Sequence, residues 1–416
     1  MASYRTDILD RNVWHRLVDF IGTALYKARM LTAIKQLFQP AYFTVQLDLT
    51  NACNLSCVHC YHPDHSNHGA LNSDEWLLVL ERIQALARKI GATPKFALCG
   101  GEPTLAQPFV AVMRAIKKDF SRSPIIVLTN GTMLDRPLPG NSNTPLTPLS
   151  LILECGASTQ VSFDGPSAET HDRLRGKGSF EKSVRGVKLL RAQRTEVLLQ
   201  AVLSRETSPF IPGFFKLAKE MDADAMDFVR LVEEGMAVSY IAKTGAHLVG
   251  EDLRAAMVLI LQESQQQGIE TSTDGPLWAL LDESLGSASR LGFYEVIVDY
   301  QGFLKISSRT SARLGQVLHD DIWSILSRSP VLRSLRRGEI SGCSSCEVFQ
   351  KGQCSGDRNI AFAASGSFLG ADIGCWKWRK ENGLDKSEFR AEVETASALH
   401  SGTGRSRNLG EDDHVA

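Results

Sequence analysis

Apolar positions along the chain recur with two periods, and the order in which those periods alternate sets the expected architecture. Residues 5 to 38 place Leu9, Val13, Trp14, Leu17, Ile21, Ala24 and Leu25 at helical spacing. The expected element is a helix packed on the main body, with a membrane-surface or partner-binding role as alternatives. From residue 43, short β-rich runs follow at 43–49, 95–99, 124–128, 159–163, 197–203 and 226–231. Helical segments fall between them, at 73–90, near 106–118, and at 147–155, 179–194 and 209–221. In the first of these, Trp76, Val79, Leu80, Ile83 and Leu86 share one face, and Asn72 with Glu75 forms a candidate cap pair. Six strand–helix units in series require parallel strands, because a parallel crossover needs a long connection. The expected class is therefore α/β: a partial (β/α)6 TIM-like barrel with its site at the C-terminal strand ends.

Beyond residue 235 the pattern changes. Helical segments near 250–267 and 320–336 flank a strand pair around 294–306, turning at Gln301-Gly302, and a group of cysteines follows at 343–375. The expected division is a helical extension over 1–42, the barrel over 43–235, a helical connector over 236–290 and a smaller α+β domain over 291–382. Residues 383–416 lack apolar periodicity and are expected to be disordered. The run PLPGNSNTPLTP, residues 137–148, reads as a surface loop.

Composition narrows the function. The chain has 416 residues, 43% hydrophobic and 22% charged, the mix of an ordinary soluble protein of roughly two or three domains. A net charge of −1 argues against a nucleic-acid partner, which surplus Lys and Arg would normally mark. The sequence shows neither a secretory signal nor a run of about 18 apolar residues, so no transmembrane segment and a cytoplasmic location are expected. In that reducing compartment the nine cysteines read as metal ligands or catalysts before disulfides.

Cys53, Cys57 and Cys60 follow the first strand directly, in the stretch CNLSCVHC. Three thiolates leave one iron of a 4Fe-4S cluster open to an outside ligand. His59, His62, His65 or His68 could instead close a zinc site, and uncommitted cysteines are the third option. Gly100-Gly101-Glu102-Pro103 follows the second strand, where glycines allow close backbone approach to a ligand and a carboxylate can accept from an ammonium. The C-x3-C-x2-C spacing after a first strand, with Tyr61 just beyond, resembles the radical S-adenosylmethionine (SAM) superfamily.

The resemblance extends over roughly residues 43–235. It implies that SAM chelates the open iron, and that an electron from the cluster releases methionine and a 5'-deoxyadenosyl radical, which takes hydrogen from substrate. Gly100, Gly101, Glu102 and Pro103 resemble the GGEP segment that binds the methionyl amino group. Thr129-Asn130-Gly131-Thr132 resembles the TNGT segment, with Asn130 as a SAM contact. Ser162-Phe163-Asp164-Gly165 closes the fourth strand, where relatives place a serine near the ribose or carboxylate; Ser162 and Asp164 are expected contacts. His171-Asp172-Arg173 and the run 175–180 match the loop that follows. His59 is placed to face the adenine and Leu231 to pack on it, against simple loop or core roles for both.

Cys343-x2-Cys346-x7-Cys354 with Cys375 supplies four more thiolates, enough for a closed zinc site or a fully ligated 4Fe-4S cluster. Their place after the barrel resembles the SPASM and twitch auxiliary-cluster domains. Where the other SPASM cluster would need cysteines stand Ser307-Ser308 and Arg358, so one auxiliary 4Fe-4S cluster is expected. Cys99 and Cys155 read as buried, unligated thiols, with a catalytic thiol role as the lesser reading for Cys99. Asp299 reads as a solvated turn residue before a substrate-facing acid.

The resemblance implies an oxidoreductase or maturase drawing electrons from a flavodoxin- or ferredoxin-type donor. A peptide substrate, oxidised, crosslinked or epimerised, is the first expectation. The alternatives are a small molecule in cofactor or antibiotic biosynthesis and, remotely, a zinc-stabilised binding module. Only 52 residues precede Cys53, which is short for a leader-binding winged helix. The catalytic acid or base is not legible.

Overall fold

The computed structural model describes residues 42–138, 145–286 and 295–384. The expected N-terminal helix, part of the 137–148 loop and nearly all of the expected tail lie outside the described residues.

Six parallel strands, β1 (Tyr42–Asp48), β2 (Thr93–Cys99), β3 (Ile125–Thr129), β4 (Ser158–Ser162), β5 (Val197–Leu203) and β6 (Ala225–Arg230), stand side by side in chain order. Their side chains alternate by the strand period of two. On β1, Phe43, Val45 and Leu47 are buried, whereas Gln46 faces the barrel cavity. On β4 and β5, Thr159, Val161, Val197, Leu199 and Ala201 are buried while Gln160, Ser162, Gln200 and Val202 face the same cavity. On β1, β4 and β5 the apolar stripe is therefore buried in the core, and the inward stripe is largely polar.

The helices are α1 (Ser73–Ile90), α2 (Phe109–Asp119), α3 (Pro148–Cys155), α4 (Ala168–Arg175), α5 (Ser179–Ala192) and α6 (Ile211–Glu220). α1 buries the five expected residues, starts at the Asn72–Glu75 capping box and ends at Gly91 with φ 65°. α4 corrects the reading of His171-Asp172-Arg173 as loop: Ser167 and Thr170 form a capping box that starts a helix ahead of it.

The hairpin after the barrel does not form a sheet of its own. β7 (Glu295–Val298) pairs parallel to β1, and β8 (Phe303–Lys305) and β9 (Arg313–Gln316) continue antiparallel, giving one nine-stranded sheet from β6 to β9. β9 was not expected. No pairing joins β6 to β9, so the barrel is open. The connector, α7 (Ala237–Thr244) and α8 (Gly250–Gln267), buries Leu253, Ala256, Met257 and Ile260 against the main core. No helix among the described residues is long and apolar enough to cross a membrane.

Asp299 departs from expectation. It is 4% exposed, accepts from the Gln301 and Phe303 amides and pairs with Arg313 at 2.8 Å, so it pins the β7–β8 turn and is not solvated.

Replacing fully buried Trp76 by Ala should cost about 3–5 kcal/mol, against about 1 kcal/mol for Asn72→Ala at the exposed cap. Chemical denaturation should rank the two in that order.

Candidate active site

Just after β1, the backbone of Thr50 to Ala52 runs against the loop after β2. Gly101 N donates to Thr50 O at 2.7 Å and Glu102 N to Ala52 O at 2.9 Å. A Cβ on Gly100 would stand 2.2 Å from Thr50 O, and one on Gly101 2.3 Å from Ala52 O. The glycines were expected to let a ligand approach; what approaches them most closely is the chain's own segment leading into Cys53.

Glu102, expected to meet the methionyl amino group, has partners within the chain. Its carboxylate accepts from Thr104 N and Oγ1, from Thr129 Oγ1 at 2.7 Å and from Asn130 N at 2.8 Å, and it is fully buried. Burial pushes the carboxyl up and these bonds counter it. Glu102 thus ties the loop after β2 to the loop after β3, and Pro103 opens the short 3-10 turn that follows. Asn130 in turn donates to Asn54 Oδ1 at 2.9 Å and stands 4.0 Å from Cys53 Sγ. Thr132 receives a bond from Asn54 at 2.8 Å. The TNGT segment therefore grips the first cysteine loop from beside it.

On the far side of that loop, Asp164 follows β4, 1% exposed. It meets His59 Nε2 at 2.9 Å, accepts from Val202 N at 2.8 Å and pairs with Arg175. Burial would raise this carboxyl, but Arg175 and His59 outweigh it and hold it far below the usual range. Its oxygens are committed within the protein, so Asp164 positions His59 and Arg175 where a direct cofactor contact was expected.

Cys53, Cys57 and Cys60 line one cavity of about 310 Å³ at the C-terminal strand ends. Its walls include His59, Gly100, Gly101, Asn130, Ser162 and Leu231, but neither Glu102, Pro103 nor Asp164. Burial lifts the Cys53 thiol to about 11 and the Cys57 thiol to about 12, and lifts Cys60 as well. Such thiols stay protonated at neutral pH unless a metal displaces the proton. Cys99 also lines the cavity, 3.9 Å from the Tyr61 hydroxyl, with burial lifting it to about 12. Cys99 and Cys155 are both buried.

Cys343, Cys346, Cys354 and Cys375 line a second cavity. Cys354 Sγ accepts from Leu277 N and Gly356 N, each at 3.3 Å. Among the described residues no three His, Cys, Asp or Glu side chains are gathered as for a single metal ion. Arg358, where another cysteine would be needed, is 2% exposed and donates to the carbonyls of Phe368 and Gly370.

Several wall residues were not read as site residues in the sequence: Gln46, Gln160, Gln200, Arg175, Arg230 and Arg309. The glutamines carried a signal, a polar residue at inward positions of otherwise apolar strands. The arginines carried none, because their place depends on distant partners.

An open α/β barrel with three cysteines on its first strand-end loop defines a class of iron-sulfur enzyme. Residues 47–217 match the family model described as Radical SAM superfamily, so the chain is an enzyme that carries a radical SAM domain, followed by a C-terminal extension. AdoMet-dependent heme synthase of Methanosarcina barkeri is 27% identical over 79% of this chain and 94% of its own. Fe-coproporphyrin III synthase of the same organism is 24% identical over 81% and 88%. Among solved structures, anSMEcpe with bound AdoMet and the Cp18Cys peptide aligns at TM-score 0.62 and 19% identity, over 86% of this chain and 100% of that one. Streptococcus suis SuiB bound to precursor peptide SuiA aligns at 0.61 and 14%, over 84% and 80%. The family implies SAM and a 4Fe-4S cluster.

Gly101→Ala should displace the Cys53 loop and reduce iron uptake at the first site, read by iron analysis after anaerobic reconstitution. Asp48, 2% exposed beside β1's end, has a carboxyl that burial lifts to about 6, with Lys305 opposing. Its folded value lies above the usual 3.8, so its contribution is full below that pH and lost as pH rises to about 6. Asp48→Asn should remove a stability decline of order 3 kcal/mol between about pH 4 and 6. Denaturation midpoints of both forms across that window check this.

Proposed function

We propose that this chain is an oxidising enzyme with two 4Fe-4S clusters, one held by Cys53, Cys57 and Cys60 and the other by Cys343, Cys346, Cys354 and Cys375. The supporting observation is that all seven thiols fall on two cavities, three on one and four on the other. The donor sets suit such groups: three half-buried thiols at the first site, and at the second a sulfur already accepting two amide bonds. When bound, the three-cysteine cluster and SAM supply reductive cleavage of the sulfonium and hydrogen abstraction from substrate.

The chain's own residues orient that chemistry. Gly100, Gly101 and Asn130 offer backbone and amide groups beside the cysteine loop to the amino-acid end of SAM. Ser162 and Gln200, opposite each other on β4 and β5, offer hydrogen bonds from the barrel interior. His59, held by Asp164, and Leu231 flank the place of the adenine.

The first reading of the substrate is a peptide or protein, by likeness of fold to anSMEcpe and SuiB, both solved with peptides. The second is a small carboxylate-bearing molecule, favoured by Arg309. That residue lies on the cavity wall, 27% exposed in its side chain, with one bond to Arg230 O and a 4.0 Å approach to Asp357. The relatives named for heme and Fe-coproporphyrin III support the same reading.

Anaerobic incubation with SAM, reductant and either a synthetic precursor peptide from a neighbouring reading frame or carboxylated porphyrins separates the readings. Mass spectrometry should show 5'-deoxyadenosine matched by a mass change in one substrate class; uncoupled cleavage with both would refute both assignments. Under the second reading Arg309→Gln should raise the KM roughly ten- to a hundredfold, the loss of a charge-assisted bond. Replacing Cys53, Cys57 and Cys60 by Ala should abolish SAM cleavage while leaving roughly four irons per chain.

A further inference from the structure

The barrel cavity and the second cysteine cavity share one buried ion pair. Arg230 ends β6 on the wall of the first; Asp372 lines the second, three residues before Cys375. Arg230 Nη1 meets Asp372 Oδ2 at 2.7 Å and Nη2 meets Oδ1 at 3.0 Å, with the side chains 13% and 1% exposed. The carboxylate is further fixed by Asp357 N at 2.8 Å and Gly374 N at 2.9 Å, and Cys375 N donates to Asp372 O at 3.0 Å. The backbone has made room for this fork: a Cβ on Gly374 would stand 2.0 Å from Arg230 Nη2. Any side chain at 374 would expel the guanidinium, so the cradle before Cys375 is shaped to the arginine.

We infer that Arg230 and Asp372 are a positioning pair that joins the substrate cavity to the second centre. The fork fixes the Asp372–Cys375 segment on the end of β6, and its charges set how readily a centre held by the four thiolates accepts an electron. This rests on the two-cluster reading above. Reduction adds negative charge to a centre already surrounded by thiolates. A bare carboxylate beside it opposes reduction, and a guanidinium favours it, strongly so where water is excluded. Arg230 cancels the Asp372 charge from the substrate side. An electron leaving an oxidised substrate would therefore meet a centre whose acceptor strength is set by a residue of the substrate's own wall.

The test is a potentiometric titration of the full chain carrying Cys53, Cys57 and Cys60→Ala, so that only the second centre gives a signal. Arg230→Gln should move its potential lower and Asp372→Asn higher. The double substitution removes both charges of the fork together, with Asp357 keeping its approach to Arg309 and Arg358 its carbonyl partners, and should return the potential close to the parent value. Arg230→Lys should keep the potential near the parent, while the amides of Gly374 and Cys375 exchange hydrogen faster because the fork is lost. Single variants that leave the potential unmoved, or move it in the same direction, overturn the inference. A parent that binds no iron overturns the two-cluster reading itself, and iron analysis distinguishes that failure from the former.

Discussion

Glu102 is a buried carboxylate with no cation beside it, and the arrangement of the first site depends on it. Four donors from Thr104, Thr129 and Asn130 hold its two oxygens. Those bonds stand between a charged group and the large cost of leaving it unsatisfied in the interior. Because its donors come from two successive strand-end loops, satisfying this one group fixes the spacing between them. Asn130 then passes the constraint to Asn54, and Gly100 and Gly101 press the Thr50–Ala52 backbone into place from the other side. The position of Cys53 follows from both. Seen this way, the loops after β2 and β3 are first a scaffold for the cysteine loop and only through it a binding surface.

A second carboxylate repeats the device on the opposite side. Asp164 is buried like Glu102 but is matched by the Arg175 guanidinium and the His59 imidazole as well as by the Val202 amide. The difference shows in their titration: burial raises Glu102, whereas at Asp164 burial is outweighed by Arg175 and the His59 contact, which hold the carboxyl far down. Asp372 is the third case, gripped by Arg230 at the boundary between the barrel and its extension. Each of the three acids sits at a place where two segments must keep a fixed separation, and each is conspicuous in sequence only as one acidic residue among many.

The residues legible in the sequence are those whose meaning is local. The six barrel strands and α1 follow from apolar periods and a capping box, and the grouping of cysteines into three and four, each set on one cavity, follows from spacing. Partners far along the chain were not legible. Glu102 and Asp164 stood in segments that suggested ligand contact, yet their bonds reach Thr129 and Arg175. Asp299 looked like a turn residue in water until Arg313 came back across β9 to meet it. α4 was hidden because its start rests on Ser167 and Thr170, a weaker cap signal than a Glu or Gln at the third position would be. The hairpin's attachment to β1 is a pairing between strands some 250 residues apart, which no period within either strand reports.

The central claim is that three thiolates leave one iron of the first cluster open to the amino-acid end of SAM. Electron–nuclear double resonance on the reduced protein, with SAM carrying labelled nitrogen in its amino group and labelled oxygen in its carboxylate, tests it most directly. Hyperfine coupling from both labels to the cluster is the expected result. Coupling from a protein imidazole nitrogen, unchanged by SAM, would contradict it.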